Sequence, residues 1–137
     1  MKLDSSAFVA REELIEALAR ISSDVPCDND RVLFEQGESP TGLYILHTGN
    51  AMLSMRAPNG EDVLSGVASN GSLLGLPAVV GNMPYSLTVT VAKGSKVGFV
   101  TREKFSILMV NEPALAVQVL QVLTAEVRSA RNGMIAR

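Results

Sequence analysis

Glycine sets the grain of this chain. Between Arg31 and Val100 short apolar runs are separated by Gly37, Gly42, Gly49, Gly60, Gly66, Gly71, Gly75, Gly81, Gly94 and Gly98. Glycine weakens helix interiors and serves turns. Regular short strands with turn signals between them predict a sandwich or barrel. Asn59-Gly60 and Lys93-Gly94 are expected turns within it. Helical patterns lie before and after, so the expected fold class is α+β. The 137 residues are enough for one domain with its own core and not for two. We divide residues 1–137 into an N-terminal helix region (1–25), a β region (26–100) and C-terminal helices (101–137).

Asp4, Ser5 and Ser6 are candidate caps for a helix from about Ala7 or Ala10 to Arg20. Its Leu14, Leu18 and Ile21 share one face. Ser22 to Asp30 reads as a polar loop holding Pro26 and the single cysteine, Cys27. One cysteine excludes an intramolecular disulfide, as expected in a reducing compartment. With no second Cys or nearby base, Cys27 reads as a half-buried small residue at the start of the first strand. After the strands, Thr101 is a candidate helix cap, followed by the apolar Phe105, Leu108 and Met109. Pro113 then starts a helix that runs to about Ile135.

That last helix carries two apolar stripes. Ala116, Leu120, Leu123, Val127, Ala130 and Met134 are spaced by four and three, an a/d seam. Leu115, Val119 and Val122 form a second stripe, which breaks at Glu126. One stripe serves the chain's own core; no remaining element supplies a partner for the other. We therefore expect a parallel homodimer along Ala116–Met134; the alternative is a single broad apolar face folded onto the roll.

The stretch from Gly71 to Val91, GSLLGLPAVVGNMPYSLTVTV, reads as a strand end, a glycine turn, a short apolar helix, a loop and a strand. Leu76 to Val80 is too short to be helical without support. Pro77 sits where a first helical turn tolerates it. A helix start opening onto a glycine turn aims several free N–H groups one way, an anion-binding geometry. From Tyr85 onward the pattern has a period of two.

This layout resembles the phosphate-binding cassette of cyclic-nucleotide-binding domains, the sensor half of catabolite-activator-type (Crp/Fnr) bacterial regulators. Val32-Leu33-Phe34-Glu35-Gln36-Gly37-Glu38, then Leu43-Tyr44-Ile45-Leu46 and Gly49, is similar to that family's first strands and glycine turns. Phe99 through Val110-Asn111-Glu112-Pro113 is similar to its last strand and the run into its long helix. About residues 10 to 135 are covered. The resemblance implies an antiparallel β-roll (a double-stranded β-helix, jelly-roll-like) with an N-terminal helix, a short cassette helix and a long C-terminal dimerisation helix.

It also implies a ligand site around Ser72, Leu74, Gly75, Leu76, Pro77, Tyr85, Ser86 and Leu87, and there this chain departs from the family. A cyclic nucleotide needs helix-start N–H groups and an Arg for its phosphate, and a carboxylate for its ribose 2′-OH. The family's carboxylate directly follows the cassette glycine; here Leu76 follows Gly75. The family's Arg precedes a Ser/Thr and an Ala; here Tyr85 precedes Ser86 and Leu87. The activator subgroup's Thr-Ser pair on the long helix reads Ala130 and Arg131. Ser72, Ser86, Thr88 and Thr90 offer hydroxyls and Tyr85 a phenol. A cyclic nucleotide is thus the implied cofactor but a disfavoured one. If one binds, Arg131 of a second subunit is its expected charge partner.

Three function classes compete: a sensor for another small molecule, such as an apolar acid; a ligand-free dimeric module that binds a protein partner; and an enzyme, since cupins share a similar roll. Cupins cluster His ligands round a metal, and His47 is the only His. His47 reads as an exposed turn residue, and Asp28, Asp30, Glu61 and Asp62 as solvated loop charge. No metal site and no catalytic residues are expected, and the chain reads as no enzyme. The net charge of −2 and pI of about 5.4 argue against a free-standing nucleic-acid binder. The related regulators continue into a helix-turn-helix domain, whereas here no helices follow and only Arg128, Arg131 and Arg137 are late cations. Direct DNA binding is not expected. No apolar run approaches the roughly 18 residues of a membrane span. The N-terminus carries acids where a secretion signal would be apolar, and Met1 reads as a native start. The expected location is cytoplasmic, with no membrane partner.

Overall fold

Strand alternation builds two cores. The computed structural model describes residues 2–135, with side chains to Arg131. In chain order the elements are α1 (Glu12–Arg20), β1 (Ser23–Val25), β2 (Arg31–Phe34), β3 (Gly42–Thr48), β4 (Ala51–Arg56), β5 (Asp62–Ala68) and β6 (Ser72–Leu74). There follow α2 (Leu76–Gly81), β7 (Thr88–Val91), β8 (Lys96–Thr101), α3 (Arg102–Asn111) and α4 (Pro113–Ile135). The strands form two four-stranded sheets, β1-β8-β3-β6 and β2-β7-β4-β5, antiparallel throughout. The architecture is the expected α+β roll with a long C-terminal helix.

The first sheet is covered on both faces. On β3, Leu43 and Ile45 join Leu14, Leu18, Leu73, Leu76, Val100, Phe105, Val119 and Val122 in a core under the helices. Their neighbours Tyr44 and Leu46 point the other way, into the core between the sheets with Phe34, Leu53, Leu74, Tyr85, Val89 and Val91. This is the period-two rule applied to a strand buried on both sides. The Val119–Val122 stripe of α4 packs on its own roll, as the sequence spacing requires.

Four readings are corrected. No helix starts near Ala7. Asp4 accepts hydrogen bonds from the N–H and hydroxyl of Ser6 (2.9 and 2.7 Å) and closes a turn. The Phe8 carbonyl accepts from the Leu73 N–H at 2.8 Å, and Val9 bridges to Ser72. The backbone there completes a sheet edge, and α1 begins only after Arg11, without a side-chain cap. The Ser22–Asp30 loop contains β1, which pairs with β8 through Ser23, Asp24 and Val25. Tyr85 lies in the loop before β7 rather than at its start. His47 is a half-buried residue of β3 and not part of a turn, since β3 runs on through Thr48.

Other local expectations stand. The Thr101 hydroxyl accepts from the Lys104 N–H at 3.2 Å and caps α3. Pro113 opens α4, and the chain turns through 119° between α3 and α4. Cys27 departs from its reading: it is buried rather than half-buried and lies between β1 and β2 rather than at the start of a strand, with its Sγ donating to the Val25 carbonyl at 3.4 Å. Among the described residues no single helix is long and apolar enough to cross a membrane.

Candidate functional site

The open end of the inner core is a cavity of about 250 Å³. Four groups of residues wall it. The sheets supply Phe34, Leu53, Met55, Leu64, Leu74 and Val89; the turn, α2 and the following loop supply Gly75, Pro77, Ala78, Tyr85, Ser86 and Leu87. Leu3 and Phe8 come from the N-terminal segment, and Leu123, Glu126, Val127 and Ala130 from α4.

Gly75 is required at the turn. Its φ is +87°, and a Cβ there would come within 2.9 Å of the Tyr85 ring. It leads directly into α2, whose first turn contains Pro77. Pro77 donates no N–H, which reduces the anion-binding capacity of that helix start.

Tyr85 fills the corner where the resemblance places a cation. Its ring is 3% exposed and stacks on Phe34 with centroids 3.9 Å apart. Its hydroxyl donates to the Gly42 carbonyl at 2.6 Å and accepts from the Thr41 N–H at 3.2 Å. The backbone on either side is tied as well: the Tyr85 N–H donates to the Glu38 carbonyl, and its carbonyl accepts from the Gly37 N–H. The phenol expected to meet a ligand is thus committed to the chain itself.

The other predicted residues divide. Leu74, Gly75, Pro77, Tyr85, Ser86 and Leu87 come together on the cavity wall. Ser72 and Leu76 do not. Ser72 is fully buried on β6 and its hydroxyl donates to the Ser69 carbonyl. Leu76, at the position of the family carboxylate, points into the helix-side core. Thr88 accepts from the Gln36 N–H at 3.0 Å, and neither Thr88 nor Thr90 lines the cavity. Arg131 is exposed and lies off the wall.

The expected dimer seam divides too. Leu123, Val127 and Ala130 line the cavity, Ala116 is half-buried, and Leu120 and Val127 remain 59% and 58% exposed. Met134 lies outside the residues whose side chains are described.

Sequence reasoning missed Glu126 as a wall residue, although its signal was the break in the second stripe of α4. It is the one charged residue among the described residues of the wall. One carboxyl oxygen, Oε2, is buried with no hydrogen-bond partner among the described residues. Burial pushes this carboxyl up from an ordinary 4.5 to about 8. At neutral pH the cavity is therefore apolar with one protonated acid in its wall. Among the described residues no group of acids, His or Cys is placed to hold a metal.

The family model for the cyclic nucleotide-binding domain matches residues 25–112. A CRP-like cAMP-activated global transcriptional regulator of Mycobacterium tuberculosis is 22% identical over 120 residues, covering 88% of this chain and 54% of that protein. The chain thus spans about half the length of the curated relatives it matches. The catabolite activator protein of Thermus thermophilus superposes with a TM-score of 0.79 at 17% identity, over 92% of this chain and 59% of that one. The sensor domain of the transcriptional regulator DNR from Pseudomonas aeruginosa gives 0.66 at 18% identity, over 88% and 81%. At these identities the superpositions speak for the fold, while the match of the family model over most of the chain decides membership: this chain belongs to the cyclic nucleotide-binding domain family.

Proposed function

We propose that this domain is a sensor in cytoplasmic signalling or transcription control whose nucleotide cassette has degenerated into a site for an apolar small molecule. It works as a regulator and not as an enzyme, and contacts no DNA itself. The mycobacterial relative is described as a cAMP-activated transcriptional regulator; the regulatory role carries over and the ligand does not. The observation behind this is the cavity wall, where Tyr85 occupies the cation's corner and the one charged lining residue is an acid. Removing one charged partner from a buried phosphate site costs about 2–5 kcal/mol, and no cation among the described residues of the wall takes its place.

The output is a homodimer through α4. Val117, Leu120 and Val127 of that helix are more than half exposed, as are Ile107 and Val110 of α3. The cavity wall includes Leu123, Glu126, Val127 and Ala130 of the same helix, so an occupant acts on the element that dimerises. A ligand biases such an equilibrium by as much as it prefers one arrangement of the helix. The exposed stripe alone also favours a second reading, a ligand-free dimeric module that binds a protein partner.

Calorimetry and thermal shift decide among these. Cyclic AMP and cyclic GMP should show no dissociation constant below about 10 μM, roughly −7 kcal/mol of binding free energy; tighter binding would refute the proposal. Arg131→Ala would then show whether a second subunit supplies the missing charge. An apolar compound that raises the melting temperature supports the sensor. A protein indifferent to every compound in a broad apolar set leaves the interaction module as the reading.

A further inference from the structure

The cavity is uncharged apart from one group, and that group is placed to choose its ligand. Glu126 sits on α4 among Leu123, Val127 and Ala130, facing Leu3, the β4–β5 residues Met55 and Leu64, and the Tyr85–Leu87 loop. Its Oε2 is buried without a hydrogen-bond partner among the described residues. No cation lines the cavity among the described residues. The charged groups of the neighbouring elements lie elsewhere. Lys2, Asp4 and Arg128 line a second cleft that shares Leu3 with the cavity, and Arg56 and Asp62 pair with each other at 3.4 Å on the surface of β4–β5. The one other titratable group on the wall, the Tyr85 phenol, is bonded to Gly42 and Thr41.

We propose that the cavity takes an apolar amine, whose nitrogen pairs with the Glu126 carboxyl while its hydrocarbon body fills the space between the sheets. This rests on the sensor reading above and gives its ligand a chemical class. A carboxylate or phosphate would find no cation among the described residues of the wall, and ionisation of Glu126 beside it would set two like charges together. A neutral ligand would offer the carboxyl ordinary hydrogen bonds only. An amine suits either state of the carboxyl: as a free base it accepts the proton, and as ammonium it donates to the carboxylate in a charge-assisted bond. The proton moves from the carboxyl to the amine, or to solvent when the ligand arrives already charged. The size of the body follows from the volume. An apolar cavity of about 150 Å³ holds benzene, so one of about 250 Å³ holds a single ring with a short chain.

The test uses 2-phenylethylamine, 2-phenylethanol and phenylacetate, titrated calorimetrically into the full chain. The amine should bind at least about tenfold more tightly than the alcohol at pH 8, and phenylacetate more weakly than either. Because the ammonium needs an ionised Glu126, its affinity should rise about tenfold from pH 6 to pH 7 and level off above pH 8. Glu126→Gln should erase the amine's advantage and its pH dependence while leaving alcohol binding within about threefold. An amine no tighter than the alcohol, an affinity flat from pH 6 to pH 8, or an unchanged Glu126→Gln overturns the inference and spares the apolar-site reading. Failure of all three probes overturns both.

Discussion

Replacing Glu126 by Gln should make the domain more stable at neutral pH, although it removes no clash and adds no contact. The reason is proton linkage. A carboxyl whose folded value is about 8 holds a proton in the folded chain that the unfolded chain releases near 4.5. Its contribution is fully present below the unfolded value and is lost as pH rises to the folded value. Each unit between those limits is worth about 1.4 kcal/mol. At pH 7 the native chain has lost about 3 kcal/mol relative to pH 4.5, and by pH 8 about 4. Gln has the same shape and no titration, so it keeps what Glu loses. The two proteins should be about equally stable near pH 4.5 and should diverge steadily above it. At pH 7 Glu126→Gln should be ahead by about 3 kcal/mol, roughly 10 °C in melting temperature for a chain of this size. Urea denaturation followed by circular dichroism, at a fixed protein concentration and at each half unit from pH 4.5 to 8.5, gives the difference directly. Taking the difference cancels the other titrating groups, which both proteins share. A gap that stays constant across that range would refute the assignment of Glu126 as a buried, unpaired acid.

Three further outcomes follow from the geometry. Tyr85→Phe keeps the stack on Phe34 but strips a buried hydrogen bond from the Gly42 carbonyl, and should cost about 1–3 kcal/mol in the same urea assay; no loss would mean that the phenol is not needed there. Leu120→Glu, on the exposed stripe and off the cavity wall, should convert a dimer to a folded monomer by light scattering, and a monomer in the unmutated protein would remove the basis for the dimer. The chain, at net charge −2, should show no sequence-selective DNA retardation at physiological salt; selective binding would refute this.

The roll was legible because its information is local and repeated. Glycine turns, alternating strands and the Thr101 cap each depend on a few neighbours, and all agree. The cassette turn was legible for the same reason: Gly75 and Pro77 carry their backbone demands with them. The start of α1 was not, because Asp4 and Ser6 satisfy an N-cap pattern while the backbone of Phe8 and Val9 is taken by β6, a partner more than sixty positions away in the sequence. Leu76 misled for a related reason. Its position beside Gly75 suggests the site, but the strand–turn–helix geometry aims it into the helix-side core.

Tyr85 and Glu126 show where a one-dimensional reading of a site stops. From the sequence, Tyr85 is the loss of a cation, and loss alone leaves a weakened anion site. In three dimensions it is a replacement: the phenol bonds the Gly42 carbonyl, the ring covers Phe34, and the corner is filled. From the sequence, Glu126 is an interruption in a stripe, the usual mark of a helix face turning to solvent. Yet Val119 and Val122, two turns and one turn earlier, are buried, so a residue continuing their line points inward wherever the roll still lies beneath it. The roll does lie beneath it, but as a cavity, and an acid can occupy that position because the space is open and the proton can stay on. Tyr85 and Glu126, more than forty residues apart, thus act on one wall, one filling the corner where the resemblance places a cation and the other adding an acid. Either alone would weaken a phosphate site; together they leave the described wall with one buried acid and no cation.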